Sequence, residues 1–557
     1  MLKRWKNILF RVFRSYSIEE KVISVIVAGI VFFMLAQTGL GLFRISGRVE
    51  QESGNIYNEA FVSERPVVLN PLYVDFHEAS RDISSLVFSG LVKYDPQKKG
   101  FVDDLAILSI SADRKTYRFT LKDKLKWHDG FSITAEDVYF TFHELVQHPK
   151  FQNPILKLNF EGVNIVMVDQ KTIEFRLKKP NAFFVTNLNI GIVPKHLLGN
   201  VPVEQLPSNI FNVKPVGSGP YKIDAPLELQ KDGIQRVTLK TYEDYYGQRP
   251  KIKQIRFSVY PVVEMLLDQL ATLNVIAKMP LSSTEFIQKK KRFSLIPYEL
   301  PQYTAIFFNL QHPLLKKEKI RLALLKSIDK QALLVDFKDK LAVDTPLLEL
   351  QQSEWIYKPN LTEAKGALFD SGFKQKPGGD GYRRDSNGKP LKFTLLIRSH
   401  EEGTPQFEEM KKLTDFLIKS WKSIGVELKI EAVNEDEFKQ QLQAKKYDMV
   451  LAGQGLGYNF DTYAYWHSSQ TTDTGLNLSN YKSFAANQLI EEIRDTFDSK
   501  EKDKKLKDLA KILAKDIPAI FLYRPRYTFV TDGKIGGISL KNMAFPSDRF
   551  ANIASWY

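Results

Sequence analysis

There is no cysteine in the 557 residues of this chain. That excludes disulfides, thiolate metal sites and a cysteine nucleophile together, and it leaves no cysteine for an N-terminal lipid anchor. A chain without thiols is compatible with an oxidising compartment. No G-x-x-x-x-G-K-[ST] loop occurs, so ATP hydrolysis by this chain itself is not expected, and no G-x-S-x-G elbow marks a serine hydrolase. His128-Asp129 lies in W-H-D-G and is read as part of a turn. His143 and His148 are five residues apart in H-E-L-V-Q-H, which is not the i, i+4 spacing of a helical zinc pair. Gly453, Gly455 and Gly457 would need a further glycine at 458 to make a dinucleotide loop, and Tyr458 stands there. No catalytic residue, metal ligand or cofactor is expected.

What is present is a globular composition, 43% hydrophobic and 12% aromatic, on a chain too long for one core, so two or three lobes are expected. The formal charge is +14. Six basic and two acidic side chains fall in residues 1–21; beyond them lysines and acids are interspersed rather than striped. This favours a general basic surface near anionic lipid or cell wall over a nucleic-acid interface.

Val22–Phe43 is almost wholly apolar, with Ser24, Gln37 and Thr38 its polar breaks. As a helix it would span about 33 Å, enough for a hydrocarbon core of roughly 30 Å. The basic flank, residues 1–21, is expected in the cytoplasm and everything after residue 44 outside it. An uncleaved signal anchor is preferred to a cleaved signal peptide, because the run is long and no A-x-A site follows. Arg44–Ser63 reads as a polar tether, with folded material from about Arg65.

The most informative stretch is Asp113–Phe142, DRKTYRFTLKDKLKWHDGFSITAEDVYFTF. Tyr117, Phe119 and Leu121 alternate with polar residues, a half-buried strand. A turn follows at Asp129-Gly130. Thr134 with Asp137 three residues on forms a capping-box pattern, and Val138, Phe142, Leu145 and Val146 give the next helix one apolar face. This stretch resembles the signature segment of the family 5 solute-binding proteins, the peptide, dipeptide and nickel receptors of ABC importers. Further matches follow in order: LNPLYVDFHEASRDISSLVFSGLVKYD (69–95), VGSGPY (216–221), YEDYYGQRPKIKQI (242–255), YTAIFFNLQHPLLKKEKIRLALLKSIDKQAL (303–333), Leu361–Phe373 and the strand after Ile517. The resemblance covers about residues 65–530.

It implies an α/β fold of the periplasmic-binding-protein-like type II: two large lobes with a cleft, a small extra lobe, and here one preceding transmembrane helix. The expected divisions are 1–21 cytoplasmic, 22–43 membrane, 44–64 tether, 65–97, 183–275 and 512–557 lobe I, 98–182 small lobe II, and 276–511 lobe III. Lobe closure needs more than one strand crossing between lobes.

The ligand site is expected around GQGLGYNFDTYAYW (453–466). Peptide-binding relatives have "GW..D..DP" here, the first Asp holding the ligand's ammonium. In this chain Gln454 takes the Trp place and Gly457 the first Asp place, while Asp461 aligns with the second Asp if one residue is inserted. The candidate ligand-binding residues are Asp75, Tyr303, Asn309, Gln454, Tyr458, Asp461, Tyr465 and Trp466. The expected function is capture of an oligopeptide-like solute for a permease with separate ATPase subunits, by a monomer outside the cytoplasm that the N-terminal helix holds to the membrane. A membrane-anchored sensor or scaffold with a degenerate pocket is the first alternative, and a polyanion or nucleic-acid binder the second.

Overall fold

Twelve of the described strands form a single sheet, and the passage between its two halves is made by one long strand with a consecutive pair of strands crossing beside it. The computed structural model describes residues 56–63, 65–74, 78–279, 284–348, 357–458, 461–473 and 475–557. The expected membrane segment 22–43 and Asp75 lie outside the described residues. Among the described residues no helix is long and apolar enough to cross a membrane. Tyr57–Lys251 with Ile255–Tyr557 make one compact unit; of the other, only Ile56 and Ile252–Gln254 are described.

The strands in chain order are β1 Ile56–Val62, β2 Val92–Asp95, β3 Gly100–Asp103, β4 Ala106–Ile110, β5 Thr116–Leu121, β6 Asn164–Met167 and β7 Thr172–Arg176, then β8 Tyr221–Leu229, β9 Gln235–Thr241, β10 Gln254–Tyr260, β11 Val275–Met279, β12 Ser294–Glu299, β13 Gln302–Phe308 and β14 Lys340–Ala342. They continue with β15 Lys374–Gln375, β16 Arg383–Arg384, β17 Lys392–Arg398, β18 Glu427–Val433, β19 Met449–Gly455 and β20 Ala519–Thr531. The large sheet runs β18-β17-β19-β13-β20-β11-β1-β10-β9-β8, with β12 and β14 also pairing β20.

β20 serves both halves. Ala519–Tyr523 pairs with β13, and Arg526–Thr531 pairs with β12. β12 and β13 are consecutive, joined at Leu300-Pro301, so they cross beside β20 in the opposite direction. β13 is apolar on both faces because both are covered. Ile306 and Phe308 pack with Leu324 and Trp421, and Tyr303 and Phe307 pack with Trp466 and Phe521.

β4-β5-β7-β6 form a separate four-stranded sheet. β5 alternates as its sequence implies, with Tyr117, Phe119 and Leu121 buried. The capping box is formed: Thr134 N donates to Asp137 Oδ2 at 3.0 Å and Glu136 N to Thr134 Oγ1 at 3.3 Å. The following helix then widens to π-type over Phe140–Val146, which local patterning did not indicate. Ile56–Val62, read from sequence as the end of a polar tether, is instead strand β1. Its Glu59 and Ala60 pair with β11, and a polar sequence belongs there because Glu59 finds a buried guanidinium.

Candidate functional site

The helix Glu78–Val87 organises the site, because its polar residues face inward. Asp82 is fully buried against Arg549, whose Nη1 lies 2.6 Å from Asp82 Oδ2 and whose Nη2 lies 2.5 Å from Glu59 Oε1. Two carboxylates share one guanidinium without solvent, so burial pushes Asp82 up to about 7 against the pull of Arg549. This triad ties the helix to β1 and to the C-terminal 3-10 segment Pro546–Ser555.

The same helix lines a cavity of about 460 Å³ through Arg81, Ser84 and Ser85. β2 adds Lys93 and Tyr94; Asp104 and Tyr246 stand on the wall, and Tyr458 closes one side from the opposite half of the sheet. Tyr246 Oη donates to Asp104 Oδ1 at 2.7 Å, with Lys93 Nζ 3.7 Å away. Burial raises Asp104, and Lys93 and Tyr246 only partly offset it. Tyr458 Oη donates to Asp548 Oδ1 at 2.8 Å. Its ring packs on Tyr94, Phe101 and Phe545 at 4.7, 5.2 and 4.9 Å between centroids, and Arg81 lies 3.8 Å over the Phe545 ring. A second link between the halves is the Arg65–Glu435 ion pair.

Where the strands cross, Lys278 pairs with Glu78 and lies 4.0 Å from the Tyr527 ring. Gln302 Nε2 donates to Tyr527 Oη. Burial works to lower the Lys278 pKa, but Glu78 and Tyr527 outweigh it and hold the ammonium above its ordinary value. Arg524 Nη2 meets Glu299 Oε2 at 2.6 Å, joining β20 to β12 beside the Leu300-Pro301 turn.

Tyr303 and Gln454 are register partners on β13 and β19, and the Tyr303 hydroxyl donates to Gln454 Oε1. Trp466 packs on the same apolar cluster, and Tyr465 Oη donates to Gly455 O at 3.0 Å. These four form one group, with Tyr303 and Trp466 each 1% exposed. Tyr458 stands apart from them, in the cavity wall. Asp461 takes both Nε and Nη2 of Arg494, at 3.0 and 2.8 Å from Oδ2. Asn309 is at the far end of β13, where Nδ2 donates to Tyr447 O at 2.9 Å and Oδ1 accepts from Asn480 at 2.9 Å.

Arg81, Asp104, Tyr246 and Asp548 were not singled out from sequence. Asp104 sits in an ordinary D-L-A strand start, and Asp548 carries the signature of a helix cap, since it accepts from Ala544 N and Phe545 N at 2.7 and 2.9 Å. His128 is structural: Nε2 donates to Gly219 O at 3.0 Å and Nδ1 accepts from Gly217 N at 3.2 Å. His143 Nδ1 is 2.8 Å from Gln147 Oε1.

Residues 100–475 match the family model of the bacterial extracellular solute-binding proteins, family 5 Middle. The oligopeptide-binding protein AppA of Bacillus subtilis (strain 168) is 26% identical over 518 residues, 88% of this chain and 90% of that one. A dipeptide-binding protein of Escherichia coli (strain K12) is 24% identical over 450 residues, 74% of this chain and 78% of its own. Among solved structures, B. subtilis AppA in complex with a nonapeptide superposes with a TM-score of 0.74 at 25% identity, covering 90% of this chain and 98% of that one. NikZ from Campylobacter jejuni in complex with Ni(L-His) gives 0.75 at 26% identity, over 90% and 99%.

Proposed function

Because the chain belongs to the bacterial extracellular solute-binding proteins of family 5, and is therefore a receptor and not an enzyme, we propose that it captures a peptide-like solute outside the cytoplasm for an ABC permease. The observation that carries this reading is the cavity under Tyr458. Its wall comes from the first half of the sheet and the C-terminal segment, with Tyr458 as the one lining residue from the opposite half, and the halves are joined by strands running side by side. Arg81, Lys93 and Asp104 set charges of both signs beside the tyrosines of the wall, which suits a zwitterionic guest with an amide backbone. Closure about the Leu300-Pro301 and Tyr523–Arg526 crossing would bury it. AppA was solved with a nonapeptide and NikZ with a nickel–histidine complex; we take the peptide-like class because the mixed charges face a polar, tyrosine-lined space.

In the same reading the body divides into lobes I, II and III at the boundaries given above and works as a monomer. Residues 22–43 hold it to the membrane with the N-terminus in the cytoplasm. Of the sequence candidates, Tyr458 is the one we place against the solute; Tyr303, Gln454, Tyr465 and Trp466 support the strand behind it. The test is to extract the full chain in detergent, identify co-purified small molecules by mass spectrometry and titrate them back by calorimetry. Peptides that bind with 1:1 stoichiometry support the proposal. A chain that carries no solute and whose melting temperature no peptide library raises would favour the anchored scaffold, for which the mutual satisfaction of Tyr303 and Gln454 speaks.

A further inference from the structure

We propose that the end of the body at which the chain arrives from residues 1–55 is a docking face for an anionic lipid surface. Asn58 fixes that end: its N–H donates to Asn274 Oδ1 at 2.9 Å, and Asn274 N donates back to Asn58 O at 3.0 Å. Asn274 Nδ2 holds Asp532 Oδ2 at 3.1 Å. Arg292 binds the same carboxylate at 3.2 Å and donates to Ala271 O and Leu273 O at 2.7 and 2.9 Å. Arg292 closes the run Lys289-Lys290-Lys291-Arg292, so three lysines are pinned beside the arriving chain, and Lys534 follows Asp532 by two residues. All four lysines are exposed and none makes an ion pair among the described residues. Lys290 Nζ lies 5.0 Å from the ring of Phe286, which is 47% exposed. Exposed carboxylates on the neighbouring stretches of chain are Glu264, Asp268 and Glu285, and none of them pairs with these lysines among the described residues. Asp532, the one carboxylate within the cluster, is already taken by Arg292.

An exposed aromatic ring beneath Lys290, in a run of exposed lysines, suits a headgroup layer, where ammonium groups meet phosphate and the ring meets the acyl boundary. The length of chain outside the described residues argues for the same occupant. Twelve residues, 44–55, separate the apolar run Val22–Phe43 from β1, and fully extended they reach at most about 40 Å. This step rests on the reading of residues 22–43 as an anchor. Tethering so short raises the local lipid concentration until a weak patch engages.

The absence of cysteine allows single labelling sites. The full chain carrying Gln288→Cys, or Ser386→Cys in the turn between β16 and β17 as control, is labelled with a fluorophore. It is then reconstituted with neutral phosphatidylcholine vesicles or with vesicles containing phosphatidylglycerol, each doped with a doxyl-lipid quencher. Flotation with neutral vesicles reports the anchor alone. The proposal expects quenching at 288 to be at least about 2-fold stronger on anionic vesicles, lost in high salt and in Lys289→Gln/Lys290→Gln/Lys291→Gln, and absent at 386. Flotation with equal quenching on both lipids overturns the docking face and leaves the anchor. Lysine-dependent flotation on anionic vesicles alone supports the face and rejects the anchor. Flotation on neither, or duplex DNA displacing the label from anionic vesicles through the same lysines, overturns the lipid assignment.

Discussion

Tyr458 and Asp548 lie 90 residues apart in sequence and meet across the two halves of the sheet, hydroxyl to carboxylate, at 2.8 Å. The contact closes one side of the cavity. Asp548 is otherwise held by two backbone N–H groups, so among the described residues Tyr458 is its one side-chain hydrogen-bond donor, and it comes from across the gap.

Tyr458→Phe keeps the ring stack on Tyr94 and Phe545 and removes this bond alone. A hydrogen bond to a buried charged group contributes about 1.5–3 kcal/mol, so solute affinity should weaken roughly tenfold or more. Circular dichroism and the melting temperature should change little. Calorimetry with the co-purified solute checks it; unchanged affinity would mean that the contact does not hold the closed form.

Among the described residues Arg549 is the one cation paired with Glu59 and Asp82, in a site that solvent does not reach, each side chain being at most 1% exposed. Arg549→Met would leave two carboxylates facing each other. Removing one partner of a buried charge group typically destabilises by about 3–5 kcal/mol. Chemical denaturation should show a loss of that size, and Asp82→Asn combined with it should recover part of the loss, because one uncompensated charge is gone.

The triad also shows how far the sequence could be read. β5, its turn and the capping box depend on neighbours within a few residues, and the alternation of Tyr117, Phe119 and Leu121 displays them directly. β1 does not: Asn58 and Glu59 look like tether residues until Arg549, 490 positions away, is placed beside Glu59. The candidate site divides in the same way. Tyr458 stood out as an aromatic where a glycine motif breaks. Arg81, Asp104 and Asp548 gain meaning only when the Glu78–Val87 helix, β3 and the C-terminal segment meet. Asp461 faces Arg494 because of helix Phe484–Asp495, a pairing that no local spacing announces.

Acid and base limbs of stability should separate by variant. Burial raises Asp82 to about 7 and Asp548 to about 6; these groups bind protons in the folded state before the unfolded one, so their stability contribution is full at low pH and lost as pH rises through those values. Burial lowers His128 to about 4; its contribution is present above roughly 6.5 and lost as pH falls toward 4, a swing of about 3 kcal/mol. Between pH 7 and 4.5 the two trends oppose each other. Differential scanning fluorimetry should therefore show His128→Gln gaining stability on acidification relative to the parent, and Asp82→Asn losing it. Parallel curves for all three proteins would contradict this assignment.

The His128 ring also explains why the glycines after Val216 cannot be replaced. Ser218 N and Gly219 N both donate to Val87 O, at 3.0 and 2.8 Å, where the Glu78–Val87 helix ends, while His128 grips Gly217 and Gly219 from the other side. A Cβ on Gly217 would stand 1.9 Å from Val87 O, and one on Gly219 2.4 Å from Leu86 O. Both obstacles are backbone, so relief requires the helix end to move, and with it Arg81 and the cavity wall. Gly217→Ala should cost several kcal/mol, on the order of the overpacking and lost-contact penalties of about 1–3 kcal/mol each. Gly455→Ala is the matched control, since nothing lies within 4 Å of its added carbon. Equal denaturation midpoints for the two variants would show that the crossing at Val87 yields without loss.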